Sequence, residues 1–307
     1  MLFLTLLALV SYQPLENVTL AIEVAGKGPK LTIVDENFKP YFIDTRSASS
    51  LRDMANGIMT DDSMTLTTVA VAELLIKGKE KAKEQNWHIK NTVIVASSSI
   101  TAQKNYKTLF SQIECATGLK VLSVTAQYEA RLIFQATVPA VKRIDSLIVD
   151  VGSGNSRLAW VDEDDKLKEI TIPLGTVTAT NLMQDLDKTV FQNKIRDLVK
   201  IPLPKKQVVY FSGGIAWALQ TIIDSPTQLY TPIDIAKLRA LDLTNEYNKI
   251  AKTENKMTRV FTLPNLLAGS HLLFSILDNF TEDQRFIFVN NQQSWMVDYL
   301  REQAVNK

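Results

Sequence analysis

The residues best suited to chemistry lie in Asp150-Val151-Gly152-Ser153-Gly154-Asn155-Ser156. They follow Leu147-Ile148-Val149, a run of buried-strand character, and the chain resumes as Leu158-Ala159-Trp160-Val161. Glycines in such a turn let backbone N–H groups approach phosphate oxygens, and the Ser and Asn side chains add donors. An aspartate at the strand end can hold a hard cation that neutralises phosphate charge. The same residues also suit a plain hairpin turn, for conformational reasons alone. An echo occurs earlier: an apolar strand at 19–24 carrying Glu23, the turn Ala25-Gly26-Lys27-Gly28-Pro29, and a second strand at 30–35. A third candidate is Ser212-Gly213-Gly214, where an apolar strand meets a helix N-terminus; it suits an anion or nucleotide, or a tight packing turn.

Composition narrows the chemistry to carboxylates, hydroxyls and backbone amides. Cys115 is the single cysteine of the 307 residues, which excludes an internal disulfide framework and a cysteine-rich zinc site. His88 and His271 are the only histidines, which argues against a histidine-rich metal site or a histidine triad. Lys plus Arg number 34 against 33 Asp plus Glu, so no net field draws duplex nucleic acid or an anionic membrane. Residues 2–10 form an apolar run of signal-peptide length, too short to span a bilayer as a helix and lacking a basic start. Residues 1–17 are therefore read as a signal-like or a buried N-terminal segment and set apart from the fold.

The candidate turns need elements to position them, and strands alternate with helices along the chain. Strands are expected at 38–43, 91–96, 119–124, 147–151, 157–162, 167–172, 207–211 and 286–289, after the pair at 19–24 and 30–35. Helices are expected at 63–86, 105–117, 129–137, 176–186, 194–199, 215–219, 266–277 and near 296–304. The apolar stripe at 266–277 suits either a core or a subunit interface, so a homodimer stays open. This alternation predicts a layered α/β fold of two similar halves closely packed about one cleft.

Two blocks together carry a resemblance. Tyr128-Glu129-Ala130-Arg131-Leu132-Ile133-Phe134 precedes Ile148-Val149-Asp150-Val151-Gly152-Ser153-Gly154-Asn155-Ser156. This resembles the exopolyphosphatase and guanosine pentaphosphate phosphatase (Ppx/GppA) family, part of the actin, Hsp70 and sugar-kinase superfamily. That family has a Glu-Ala-Arg-Leu-Ile block followed by an Asp-Ile-Gly-Gly-Gly-Ser block. Ile172-Pro173-Leu174-Gly175 and Ser212-Gly213-Gly214 fall at its Pro-Leu-Gly strand end and its glycine-rich nucleotide-side loop. The resemblance runs from about residue 19 to 300.

The resemblance implies two ribonuclease H-like (actin-like ATPase) domains with an interdomain cleft. Domain I would cover 18–143, to which a C-terminal helix at 292–306 can return, and domain II would cover 144–291. It also implies Mg²⁺- or Mn²⁺-dependent hydrolysis of phosphoanhydride bonds, with polyphosphate, guanosine pentaphosphate or another nucleotide as partner. Glu129 would activate the attacking water, and Asp150 and Glu23 would hold the metal. Gly152, Ser153, Gly154, Asn155 and Ser156, with Gly26, Lys27 and Arg131, would bind phosphate. Ser212, Gly213 and Gly214 would form the nucleotide-side loop. Other readings stay open: Lys27 as a solvated turn lysine, Arg131 as a helix-surface ion pair, and Glu129 as a macrodipole partner at a helix start.

Several positions depart from the family. Glu23-Val24-Ala25-Gly26-Lys27-Gly28 stands where it has Asp-Ile-Gly-Ser-Asn-Ser, so Ser and Asn donors are missing. Ser97-Ser98-Ser99-Ile100-Thr101 offers hydroxyls where an arginine usually follows the strand, Lys104 being the nearest cation. Arg157 replaces a common Glu and puts a positive group beside the second phosphate seat. Asn290-Asn291-Gln292-Gln293-Ser294-Trp295 replaces an Asp and Arg-Glu-Gly pattern. The losses fall on one wall of the cleft. The alternative is therefore a catalytically weakened or inactive relative that binds nucleotide or polyphosphate as a sensor. The family implies a cytoplasmic protein, whereas a truncated signal peptide at 1–17 implies export.

Overall fold

The computed structural model describes residues 16–54, 56–224, 228–253, 255–281, 283–290 and 295–305, with the Lys256 side chain left aside. The first half runs β1 (Asn17–Ala25), β2 (Gly28–Asp35), β3 (Pro40–Thr45), α1 (Asp61–Glu84), β4 (His88–Ala96) and α2 (Ser98–Thr101). It continues through α3 (Tyr106–Thr117), β5 (Val121–Ser123) and α4 (Ala126–Thr137) to a 3₁₀ turn at Ala140–Asp145. The second half opens with β6 (Ser146–Val151), β7 (Ser156–Val161), β8 (Leu167–Ile172), α5 (Thr176–Asp185) and α6 (Lys188–Val199). Then follow β9 (Val208–Ser212), α7 (Gly214–Ile223), β10 (Tyr230–Pro232), α8 (Ile235–Arg239), α9 (Leu243–Ala251) and α10 (Lys256–Val260). The last elements are α11 (Leu263–Leu277), β11 (Arg285–Val289) and α12 (Met296–Val305).

Each half builds one mixed sheet, and the two repeat a plan. The first sheet has the order β3-β2-β1-β4-β5 and the second the order β10-β11-β9-β6-β7-β8. In both, three antiparallel strands lead to two parallel ones reached by helical crossovers. The central strands are buried on both faces, which β6 meets with Ser146-Leu147-Ile148-Val149-Asp150-Val151. Helix starts follow local capping: Thr60 accepts from the Ser63 N–H ahead of α1, and Asp61 and Asp62 suit its positive end.

The expected elements are present, with shifted ends. α4 opens at Ala126 rather than Glu129, because Thr125 accepts from the Tyr128 N–H and so becomes the cap. The helix expected at 194–199 is the end of a longer α6 capped by Asp187. β5 is confined to Val121–Ser123. The apolar stripe at 266–277 is core: Leu266, Leu273 and Leu277 are buried with the second sheet. The N-terminal segment expected at 1–17 lies outside the described residues up to 15, as do 291–294 of the altered C-terminal pattern. Among the described residues no helix is long and apolar enough to cross a membrane.

Two apolar clusters fill the halves, and a third joins them. It unites Ala21 and Val95 of the first sheet, Ile148 and Tyr210 of the second, Leu132 and Phe134 of α4, and Trp295 and Leu300 at the chain's far end. α12 thus packs on α4 between the sheets. Phe134 is 2% exposed in this layer. Phe134→Ala is expected to cost about 3–5 kcal/mol, read as a lower urea midpoint with an unchanged slope.

Candidate active site

The β6–β7 hairpin sets three polar side chains in a row across the second sheet. Asp150 of β6 lies opposite Arg157 of β7 on one side and in register with Ser212 of β9 on the other. Side chains directly opposite on neighbouring strands share a face, so backbone pairing alone brings these three together. The Ser212 hydroxyl donates to Asp150 Oδ1 at 2.6 Å, and Arg157 Nη1 lies 3.4 Å from Asp150 Oδ2.

The first half supplies the fourth member. Glu129 sits in the first turn of α4 and is 2% exposed. Its Oε2 accepts from the Ser98 backbone N–H at 2.7 Å and from Arg157 Nη2 at 2.8 Å. Nη2 also donates to Ser98 Oγ at 2.8 Å, and the Asn155 amide nitrogen lies 3.4 Å from that hydroxyl. Arg157 thereby ties a carboxylate from each half to one guanidinium. Glu129 Oε1 makes no hydrogen bond among the described residues.

A cavity of about 190 Å³ opens beside this group, lined by Glu23, Ser97, Ser99, Glu129, Asp150, Gly152, Ser153, Asn155, Arg157, Ser212, Gly213 and Trp295. The three acids singled out from the sequence therefore share one cleft with the glycine loop. The backbone N–H groups of Ser153 and Gly154 make no backbone hydrogen bond among the described residues. Glycine is required at two points. A Cβ on Gly154 would lie 2.8 Å from the Ser99 Cβ of the opposite wall, and Gly213 has φ +89 with a Cβ site 2.5 Å from the Val151 carbonyl oxygen. Glu23 Oε1 accepts from the Trp295 indole N–H at 3.1 Å, so the residue just ahead of α12 completes the wall begun by β1.

Other expected phosphate ligands are placed differently. The Ser156 hydroxyl is buried and donates to the Leu174 carbonyl at 2.7 Å, which makes it a loop strut. Arg131 is on the outer side of α4, paired with Glu302 of α12 at 2.6 Å and lying over the Tyr128 ring, because the helix turns it away from the cleft that Glu129 faces. The ion-pair reading of Arg131 is the one that fits. Gly26 lies under Leu51 and close to Ser153 Oγ, where it joins the two loops. Gly214 meets the Phe261 ring at the start of α7.

Lys27 is neither solvated nor at the glycine loop. From the β1–β2 turn it crosses to the second half, where Nζ lies 2.9 Å from the centroid of the Phe261 ring with no hydrogen-bond partner. Burial lowers its pKa to about 7. The ring face offsets part of the cost of holding an ammonium there. Trp295 and the pairing role of Arg157 were not foreseen from sequence. The register of 150 against 157 follows from the hairpin, but Trp295 carries no local signal.

Two halves repeating one sheet order about a cleft floored by a glycine loop define the class: an α/β protein of two ribonuclease H-like (actin-like) units. Residues 50–219 match the model of the Ppx/GppA phosphatase family, and the chain belongs to that family. An exopolyphosphatase-like protein of known structure is 13% identical, with a TM-score of 0.70 over 94% of this chain and 99% of its own. An exopolyphosphatase from Cytophaga hutchinsonii is 13% identical, with a TM-score of 0.67 over 94% and 98%. A Ppx/GppA family member from Aquifex aeolicus is 16% identical, with a TM-score of 0.61 over 95% and 98%. No functionally curated protein matches the chain.

Replacing Arg157 by Met leaves Glu129 and Asp150 buried without their cation. This is expected to cost about 3–5 kcal/mol in urea unfolding. Lys27 gives a pH signature. Its pKa is lower folded than unfolded, so the unfolded chain binds more protons between about pH 7 and 10.5, and stability rises with pH across that window. Lys27→Met is expected to flatten this slope and to raise the thermal midpoint most on the acid side, as measured by unfolding from pH 6 to 10.

Proposed function

We propose that the cleft hydrolyses the terminal phosphoanhydride bond of a linear polyphosphate or of a nucleotide such as guanosine pentaphosphate, with Glu129 as the base. One observation carries this reading. Oε2 of Glu129 is fixed by two donors, while Oε1 is left to accept a proton from water in a cleft beside a loop whose Ser153 and Gly154 N–H groups make no backbone hydrogen bond among the described residues. Family membership supports the reaction class.

The terminal phosphoryl group would sit against the Ser153 and Gly154 amides, with Ser97 and Ser99 on the facing wall. The Arg157 charge lies beside the seat and offsets part of the phosphate charge, the effect that dominates phosphoryl transfer. Water attacks phosphorus and gives its proton to Oε1, the bridging P–O bond breaks, and the electron pair leaves on the shortened chain. Mg²⁺ or Mn²⁺, implied by the family resemblance, fits these donors poorly. Asp150 Oδ1 holds a hydroxyl, Oδ2 faces a guanidinium, and Glu23 Oε1 holds the Trp295 indole.

A second reading, binding without turnover, draws on two features: Arg157 engages Glu129 directly, and Lys27 is spent on Phe261. Release of inorganic phosphate from tripolyphosphate and from guanosine pentaphosphate separates the two. Turnover that falls about 10²–10⁴-fold in Glu129→Gln supports hydrolysis. Thermal stabilisation by tripolyphosphate with no release above the Glu129→Gln level supports the binding reading.

A further inference from the structure

The family resemblance asks for a divalent cation between acids, and the space between the acids holds a side chain. The Arg157 guanidinium reaches Glu129 Oε2 at 2.8 Å and Asp150 Oδ2 at 3.4 Å, and the side chains of all three are largely buried. Among the described residues no three Asp, Glu, His or Cys side chains converge as a ligand set. Magnesium needs a near-octahedral shell of oxygens at about 2.0–2.1 Å. An ion seated on Asp150 Oδ2 would adjoin the positive charge of the guanidinium at 3.4 Å.

We propose that Arg157 is the built-in cation of this site, standing between Glu129 and Asp150 where a divalent ion would otherwise bind, and that phosphate binding in the cleft is metal-independent. The second part rests on the phosphate-cleft reading above; the first does not. The hairpin register makes the substitution local, because residue 157 faces residue 150 whatever its type. A glutamate at this position would bring three carboxylates together with no cation among them. With arginine the guanidinium supplies the charge as part of the chain. It also retains a donor: Nε has no hydrogen-bond partner.

Electron paramagnetic resonance of Mn²⁺ tests this on the full chain without requiring turnover. Titrating the wild-type protein with Mn²⁺, alone and with inorganic phosphate, is expected to leave the free-ion signal undiminished. Arg157→Glu, checked for native circular dichroism, is expected to remove about one equivalent of signal. Stoichiometric Mn²⁺ binding by the wild type that Asp150→Asn abolishes would overturn the proposal. Binding that Asp150→Asn leaves intact would lie elsewhere and keep the proposal standing. The wild-type titration decides the matter even if Arg157→Glu does not fold. Phosphate-induced thermal stabilisation is expected to be equal in EDTA and in excess Mg²⁺, and its loss in EDTA would overturn the metal-independent part. Absence of hydrolysis would remove the enzyme reading and leave the Mn²⁺ result in force.

Discussion

The buried ion pair of Arg157 with Glu129 is the contact on which the site depends. Taking a guanidinium and two carboxylates out of water is costly, and attraction repays the cost only where geometry is good and remaining donors are used. Here the Ser98 N–H, the Ser98 hydroxyl and the Ser212 hydroxyl absorb much of the hydrogen-bonding capacity. Partners come from both halves, so the same bonds that orient the carboxylates also fix how the halves meet. An exposed version of this pair would contribute little.

Packing around that contact is arranged to keep it rigid. α4 is held by an apolar layer shared between the sheets, and its first turn is held by the Thr125 cap. On the opposite side Leu51 is wedged between Gly26 and Gly154, the tips of the two echoing loops, while the Leu51 carbonyl accepts from Asn181 of α5. The cleft is therefore bounded by contacts that cross from half to half at several levels.

Much of this was legible from the residues. The alternation of apolar strands with helices and the echo of Glu23 with Asp150 led to two repeated halves, and the repeated sheet order bears that out. The Glu129 and Asp150 blocks led to one cleft. What resisted reading has physical reasons. The small elements at 230–260 are only three to nine residues long, too short for a repeating pattern to set them apart from loops, so tertiary packing shapes them more than local pattern does. Arg131 and Glu129 are two residues apart on one helix, which sends them to different faces, a point that the shared motif conceals. Lys27 in a glycine turn carried no sign that an aromatic ring from residue 261 would meet it. Trp295 reaches Glu23 across almost the whole sequence.

That last contact has a bearing on biosynthesis. Residue 23 emerges from the ribosome long before residue 295, and α12 must still dock between the sheets before its neighbouring indole can bond the glutamate. A nascent chain can assemble the first sheet, and later the second, yet its cleft lacks one wall until Trp295 and α12 have emerged and docked. Competence thus waits on a contact between residues 272 positions apart.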